Sequence, residues 1–439
     1  MKTYDEAVSY IEQIPKFTKK ERNERDNLAE LLRRLHDPQK RFKSVHIAGT
    51  NGKGSVCAML SHALTDAGVK TGRFTSPHLC ELKERIAVND ASITKERFRD
   101  AFEEVLTVVK EMESEGYPHP TYFAFLFVIG MTVFAEENVR YAVVETGLGG
   151  RLDATNILED PALVIITSIG MDHMQYLGND IASIAREKAG IIKEGSKVVF
   201  DGANEIARRE IMARCKEVHA TPYEIGEQTV KHTRIRGNAV DFSCESLYDD
   251  TVMITLPFPA IYQARNGAVA FRAAELLPPL GVDRREQILR SFASTVWPGR
   301  MQQLEEGVII DGAHNKDGIE AFVKTVQTMG TEDPVLLFSQ MEDKELKGSV
   351  RKLAEIPWKR VILTELPGDR SRTAAEMRRA FTDAGVPADH VIVEPDMEKA
   401  YRILKESRNT DGYAFCAGSL YLVGELLKKE SFWTEEENP

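Results

Sequence analysis

Ser44-Val-His-Ile-Ala48, then Gly49-Thr-Asn-Gly-Lys-Gly-Ser55, then Val56-Cys-Ala-Met-Leu-Ser-His-Ala-Leu-Thr-Asp-Ala67 read as strand, glycine loop and helix, with Gly68 closing the helix. A short apolar strand passing through a glycine-rich loop into a helix is the entry to a parallel α/β sheet. Successive backbone N–H groups of such a loop, together with the helix N-terminus, form a concavity that suits a polyphosphate. In that setting Gly49, Thr50, Asn51, Gly52 and Gly54 enclose the phosphates. Lys53 reaches the outer phosphates, and Ser55 offers its hydroxyl to Mg²⁺. The spacing departs from GxxxxGK[ST]: Gly54 separates Lys53 from Ser55, and Ile47 stands five residues before Gly52.

Working outward, the same alternation recurs in the runs from Arg140 to Glu145, Ala162 to Ser168 and Lys197 to Asp201, each followed by loop and helix. Continuous apolar runs of this kind belong to buried parallel strands. Upstream, TYDEAVSYIEQI and LAELLRRL carry apolar residues at helical spacing on either side of a charged loop. Between about Thr221 and Thr255 the texture changes to short alternating segments, which predicts a small antiparallel patch on the sheet's edge. A boundary is expected near Pro298, dividing the chain into residues 1–297 and 298–439. Beyond it GVIIDGA, PVLLFSQ, RVILTEL, HVIVEP and GYAFCAG alternate with helices, the pattern of a Rossmann-like α/β domain.

The 439 residues suffice for two or three domains at roughly 100–200 residues each. With 42% hydrophobic and 28% charged residues the chain is neither disordered nor fibrous. Lys and Arg number 57 against 68 Asp and Glu, a formal charge of −11, so no global basic field favours nucleic acid or an anionic membrane. The five cysteines are scattered without metal-ligand spacing and read as reduced thiols of a cytosolic protein. The N-terminal MKTYDEAVSYIEQIPKF lacks the apolar core of a signal peptide. The apolar run from Tyr122 to Ala135 is shorter than the about 18 residues that a spanning helix needs, and predicts a buried core helix. The charge runs Lys19–Arg22 and Glu435–Glu437 read as solvated faces.

Three further segments carry candidate chemistry. Glu145 ends a strand in Val143-Val-Glu145-Thr-Gly-Leu-Gly-Gly-Arg151-Leu-Asp153, where a nucleotide-bound Mg²⁺ would find a hard oxygen ligand; a cap or salt bridge is the structural alternative. In the same segment Arg151 and Asp153 suit a structural pair. His173, in Ile169-Gly-Met-Asp172-His173, also follows a strand, although Mg²⁺ prefers oxygen and a capping role competes. Lys188, near the end of a helix in apolar surroundings, is placed for partial desolvation, which depresses a lysine's pKa and frees the neutral amine. Complementing the helix dipole is the alternative.

Taken together, HIAGTNGKGS, FTSPHLCELKERI, TYFAFLF, ETGLGGRLDATN, SIGMDHMQYLG, IAREKAGIIK, WPGRMQ, DGAHNKDGI and AGSLYLVGEL resemble the Mur ligase superfamily, and within it the folylpolyglutamate synthase/dihydrofolate synthase family. The resemblance runs in order from His46 to Leu426, and TNGKGS is that family's form of the phosphate loop. It implies an α/β fold with an N-terminal P-loop-type parallel-sheet ATPase domain carrying a small antiparallel patch, and a C-terminal Rossmann-like α/β domain. It implies a cytoplasmic, monomeric ligase with ATP and two Mg²⁺ ions as cofactors. Its partners are folate or dihydropteroate and L-glutamate, with no nucleic acid and no membrane. ATP would convert a folate or pteroate carboxylate to an acyl phosphate, which the amine of glutamate attacks.

By the same resemblance Ser55 and Glu145 hold the first Mg²⁺ and His173 belongs to the second. Lys188 matches a lysine carried as a carbamate. Asn266, Arg300 and Asp311 contact the nucleotide, with Asp311 accepting from ribose. Arg85, Ser419 and His314 resemble glutamate-site groups. Ser76 and His78 belong to a loop over the acceptor, with Asp153 and Ala154 on the opposite wall. Closure of the C-terminal domain over ATP is expected to complete the site. Ala124 stands where the family often has an acidic residue, which removes a polar side chain there. Two other readings compete: a Mur-type ligase acting on a non-folate carboxylate, and a nucleotide-binding switch that makes no bond.

Overall fold

The computed structural model describes residues 3–15, 24–248, 250–368 and 371–436, with side chains to 428. The charged stretch at 19–22 and the side chains at 435–437 lie outside what is described. The chain forms two compact units, one of Met1–Lys231, Cys244–Ile254 and Arg265–Thr295, the other of His232–Ser243, Thr255–Ala264 and Val296–Pro439.

The first unit holds an eight-stranded sheet of β1 (Lys43–Ala48), β2 (Thr71–Phe74), β3 (Ile86–Val88), β4 (Ala91–Ser92), β5 (Tyr141–Glu145), β6 (Leu163–Ile166), β7 (Lys197–Asp201) and β8 (Thr221–Ile225). Their order is β4-β3-β2-β5-β1-β6-β7-β8. From β2 to β8 every neighbour is parallel, while β3 and β4 return antiparallel at the edge. Strands β2 to β4 have no apolar run long enough to read from sequence. Strand β1 lies between β5 and β6, so its C-terminal end is flanked by connections running to opposite sides, the position where open α/β sheets bind ligands.

The helices include α1 (Tyr4–Glu12), α2 (Glu24–Arg34), α3 (Lys53–Asp66), α4 (Lys95–Ser114), α5 (Tyr122–Glu136), α6 (Met174–Leu177), α7 (Ile181–Ala189), α8 (Glu205–Glu217) and α9 (Tyr262–Leu276). As expected from its apolar run, α5 is buried on all sides from Ala124 to Ala135. Phe125, Phe127 and Phe134 are fully covered, each contributing about 2–3 kcal/mol by leaving water. Gly72 of β2 lets this helix approach, since a Cβ there would stand 2.7 Å from the Phe134 ring.

The region after Thr221 departs from expectation. Residues 221–225 do not start an edge patch; they follow the crossover helix α8 and join the main sheet as its parallel edge strand. The alternating stretch instead makes a separate three-stranded sheet, β9 (Val230–Arg236), β10 (Ala239–Glu245) and β11 (Thr251–Leu256), ordered β11-β10-β9. Its first connection is the two-residue link Gly237-Asn238, with Gly237 at φ 57°, as a tight hairpin requires.

The second unit carries a six-stranded sheet of β12 (Gln302–Glu305), β13 (Val308–Ile310), β14 (Val335–Phe338), β15 (Arg360–Leu363), β16 (Val391–Val393) and β17 (Ala414–Ala417), in the order β12-β13-β17-β14-β15-β16. Five are the expected parallel strands. The sixth, β12, pairs antiparallel with β13 and lies half exposed, and its sequence Gln-Gln-Leu-Glu shows no apolar run. All five cysteines are free. No helix among the described residues is long and apolar enough to cross a membrane.

Candidate active site

Strand β1 delivers the chain at Ala48 into the glycine loop, and α3 begins at Lys53, three residues earlier than Val56, with Gly52 as N-cap at φ 91°. Lys53, Gly54 and Ser55 therefore form the first helical turn, whose N–H groups have no intrahelical acceptor and point to the loop. Gly49, at φ 149°, has no room for a Cβ against Thr167, and Gly52 none against the side chain of Asn266. The second contact brings Asn266 of α9 onto the loop. Across the loop Thr50 N donates to Ser168 O at 2.7 Å, and Ser168 Oγ donates to Asn51 O at 3.2 Å. Lys53 folds back over it, its Nζ donating to the carbonyls of Gly49 (3.1 Å) and Thr50 (3.2 Å).

Several charges converge here. Glu145, buried at the end of β5, sets Oε1 3.7 Å from Lys53 Nζ and accepts from Ser76 N at 3.1 Å through Oε2. Lys188, 5% exposed on α7, donates to Gly49 O at 2.6 Å. Burial, and then the neighbouring Lys53 ammonium, push its pKa down to about 7, against the opposing pull of Asp172, Asp153 and Glu145. The desolvated lysine inferred from sequence is thus present. Asp172 belongs to the same charge cluster, a partnership that its place in SIGMDHMQYLG does not reveal.

The loop from Gly147 to Asp153 closes over the end of α7. A Cβ on Gly150 would stand 2.7 Å from Glu187 O, and Arg151 N donates to that carbonyl at 2.7 Å. Arg151 does not pair with Asp153. Its guanidinium meets Glu187 at 2.7 Å on the surface, whereas Asp153 turns inward and accepts from Leu148 N (2.7 Å), Thr155 N (3.0 Å) and Thr155 Oγ1 (2.6 Å). Burial raises the Asp153 carboxyl despite these donors. Ala154 follows as the first residue of a short 3-10 turn. His173 adopts φ 51° before α6, its side chain 40% exposed and its Nε2 3.8 Å from Asp172 Oδ2.

Arg85, which could have been a surface charge, is buried. Its Nε donates to His78 Nδ1 at 3.0 Å, and its guanidinium lies 5.5 Å from the centroid of Tyr122. Ser76, His78 and Arg85 thus form one connected loop region that reaches Glu145. Nothing in the spacing of TYFAF points to a role for Tyr122, and only the fold places its ring against Arg85.

In the second unit, the turns after β13 and β17 meet. Gly312 N donates to Gly299 O at 2.8 Å, and Gly418 N to Ala313 O at 2.9 Å, which groups Arg300, Asp311, His314 and Ser419. Asp311 is 1% exposed, and its carboxylate accepts from Tyr262 Oη (2.6 Å), Met301 N (2.9 Å) and Ala313 N (2.8 Å). Both oxygens accept within the unit, so the carboxylate ties the turns at Met301 and Ala313 together. Burial raises this carboxyl and the Tyr262 phenol alike. His314 Nδ1 lies 2.8 Å from Gly312 O, and buried Ser419 accepts from Tyr421 N at 3.1 Å.

No group of three or more His, Cys, Asp or Glu gathers as a metal cage among the described residues. The hydroxyl of Ser55 and the carboxylate of Glu145 are hard oxygen donors. Such a sparse set suits Mg²⁺, which keeps waters and phosphate oxygens as its other ligands.

A strand-loop-helix phosphate cradle with a buried, depressed lysine and a carboxylate beside it defines a nucleotide-using enzyme, and the family models assign the class. Residues 128–274 match the Mur ligase middle domain and residues 299–420 the Mur ligase glutamate ligase domain. Over 97% of its length the chain is 31% identical to the dihydrofolate synthase/folylpolyglutamate synthase of Bacillus subtilis, covering 99% of that protein. The folylpolyglutamate synthase of Mycobacterium tuberculosis complexed with ADP superposes with a TM-score of 0.88 at 26% identity, over 97% of this chain and 98% of that one. Escherichia coli FolC in complex with DHPP and ADP gives 0.85 at 25% identity, over 98% of each. The chain belongs to the folylpolyglutamate synthase/dihydrofolate synthase family, whose members are ATP-dependent ligases that join glutamate to folates.

Proposed function

We propose that this chain ligates L-glutamate to tetrahydrofolate, extending the polyglutamate tail, and to 7,8-dihydropteroate. A carboxylate oxygen of the acceptor attacks the γ-phosphorus of ATP and ADP leaves. The glutamate amine then attacks the acyl carbon, an amide forms, and phosphate departs. Two anions must approach, so positive charge at the γ-phosphate is the main requirement. Lys53 supplies it by leaving the Gly49 and Thr50 carbonyls for phosphate oxygens. Ser55 and Glu145 would hold one Mg²⁺ and His173 would belong to a second. When bound, the ions neutralise phosphate charge.

The observation that carries this reading is Lys188, buried beside Lys53 with its pKa near 7. At neutral pH a large share of the amine is uncharged and able to add to CO₂ with loss of a proton, giving a carbamate. That turns a cation next to Lys53 into an anion and relieves the repulsion between the two lysines. Asn266, Arg300 and Asp311 serve the nucleotide, Asp311 accepting from ribose while its bonds to Met301 N and Ala313 N fix the turns that carry Arg300 and His314. Arg85, His314 and Ser419 receive glutamate; Ser76, His78, Asp153 and Ala154 receive the acceptor. The reading keeps the protein a cytoplasmic monomer, without nucleic acid or membrane partners, in keeping with its charge of −11.

The test is phosphate release from MgATP with L-glutamate, comparing 7,8-dihydropteroate and tetrahydrofolate, with mass detection of the product. Gain of one glutamyl unit on both acceptors establishes the bifunctional enzyme, and gain on tetrahydrofolate alone restricts it to polyglutamylation. If neither acceptor stimulates ATP use, the folate assignment fails, and a non-folate ligase or a nucleotide switch takes its place.

A further inference from the structure

His46 has no part in the reaction as proposed. It lies in β1, fully buried, between β5 and β6. Its Nε2 is 2.8 Å from Thr155 Oγ1, which is 2.6 Å from Asp153 Oδ1, and its Nδ1 has no partner. The direction of these bonds follows from counting protons. The Asp153 carboxylate only accepts, so the single hydroxyl proton of Thr155 goes to it. The hydroxyl then has only lone pairs for the imidazole, and the ring must donate from Nε2. Nδ1 is left as the unprotonated atom, the same atom that the structure leaves without a donor. Burial, with Lys193 as a lesser influence, lowers the pKa of His46 to about 3, so the ring is neutral.

We infer that His46 is a positioning residue for the acceptor substrate: donating through Thr155, it orients Asp153, and Asp153 fixes the loop from Gly147 to Asp153. This rests on the reading of Asp153 and Ala154 as the acceptor wall. The loop has little freedom on its other sides. A Cβ on Gly147 would stand 2.6 Å from the Phe123 ring, and one on Gly150 would meet the backbone of Glu187 and Lys188. Its glycines therefore lie flat between an aromatic ring and a helix end, while Asp153 ties it from inside through Leu148 N. Losing the orientation of Asp153 lets the wall shift, while the bonds of the phosphate loop to Ser168 and Lys53 remain.

The test compares Thr155→Val, nearly isosteric but without the hydroxyl, with Thr155→Ser, which keeps it. It also compares His46→Gln, whose amide N–H falls near the position of Nε2, with His46→Asn, whose amide falls near Nδ1. Thr155→Val and His46→Asn should raise the KM for the acceptor about tenfold, leaving kcat and the KM values for ATP and glutamate within about twofold, while Thr155→Ser and His46→Gln stay near wild type. A role in packing alone would show in the thermal midpoint and not selectively in the acceptor KM, and equal acceptor KM values for Thr155→Val and Thr155→Ser overturn the relay. Should the His46 variants fail to fold, ¹⁵N–¹H correlation spectra of the intact protein still decide the tautomer: a proton on Nε2 supports the relay and a proton on Nδ1 overturns it. If Thr155→Val moves the His46 resonance and neither it nor Asp153→Ala raises the acceptor KM, the wall reading falls and the positioning role with it. If Asp153→Ala raises that KM and Thr155→Val does not, the wall stands and the relay alone is wrong.

Discussion

At the end of β1, Lys53 and Lys188 rest on backbone carbonyls, and the nearest carboxylate oxygen to Lys53 is 3.7 Å away. At the end of β13, Asp311 is enclosed by three donors within 2.9 Å. Two amino groups hydrogen-bonded to carbonyls, with Glu145 no nearer to Lys53 than 3.7 Å, retain a demand for negative charge, because a carbonyl offsets only part of what burial costs an ammonium. A carboxylate with three short donors makes no such demand, and its bonds instead hold the backbone of two turns in place. The first region is built to receive an anionic ligand, whereas the second is built to keep its shape.

The sharpest way to break this contrast is Lys53→Ala. It should lower glutamate-dependent phosphate release by about 10³-fold while leaving the thermal midpoint unchanged or slightly raised, since a like charge beside Lys188 is gone. Turnover within tenfold of wild type would mean that the first region does not act on phosphate. Asp311→Ala should behave in the opposite manner and chiefly cost stability. It strands the Tyr262 hydroxyl and two N–H groups, a loss of about 3 kcal/mol in denaturant unfolding. A loss under about 1 kcal/mol would show that the turn does not depend on this carboxylate.

Lys188→Met sharpens the comparison through pH. The folded lysine titrates at about 7 and the unfolded one near 10.5. Between those values the unfolded chain holds more protons, so the contribution of Lys188 makes stability rise with pH across the window, by at most about 1.4 kcal/mol per unit. The methionine variant should lack this slope, and in the wild type carbamate formation should become easier as pH passes 7. An identical pH profile in both proteins would place the lysine in a solvated state. The smallest effect belongs to Arg151→Ala, which removes an exposed ion pair with Glu187 and should change stability by no more than about 0.5 kcal/mol.

Much of the first region was legible in one dimension because it is local. The strand, the loop and the helix that carry Gly49 to Ser55 are contiguous, and Glu145 is the last residue of an apolar run. Even the depressed Lys188 could be inferred from the apolar residues around it. What could not be read were partnerships. Arg151 and Asp153 are two apart in sequence yet face opposite ways, one to Glu187 and the other to Leu148 and Thr155. Arg85 looks like a surface residue in KERI until Tyr122, 37 positions later in the chain, is folded against it. Asp311 reads from sequence as a ligand acceptor alone, and only the approach of Tyr262 and Met301 shows that it also ties two turns together.

The sequence by itself therefore determined the class of fold, the phosphate loop, the strand ends at which charged groups stand, and the family. Periodicity and glycine placement are short-range properties, and each element forms largely from its own residues. The tertiary structure alone decided which donors each buried carboxylate meets, that residues 221–225 extend the main sheet and do not start a hairpin, and that His46 reaches Asp153 through Thr155. Such pairings depend on crossover direction and strand order. These bring residues as far apart as His46 and Thr155 within 2.8 Å, a proximity that no spacing along the chain records.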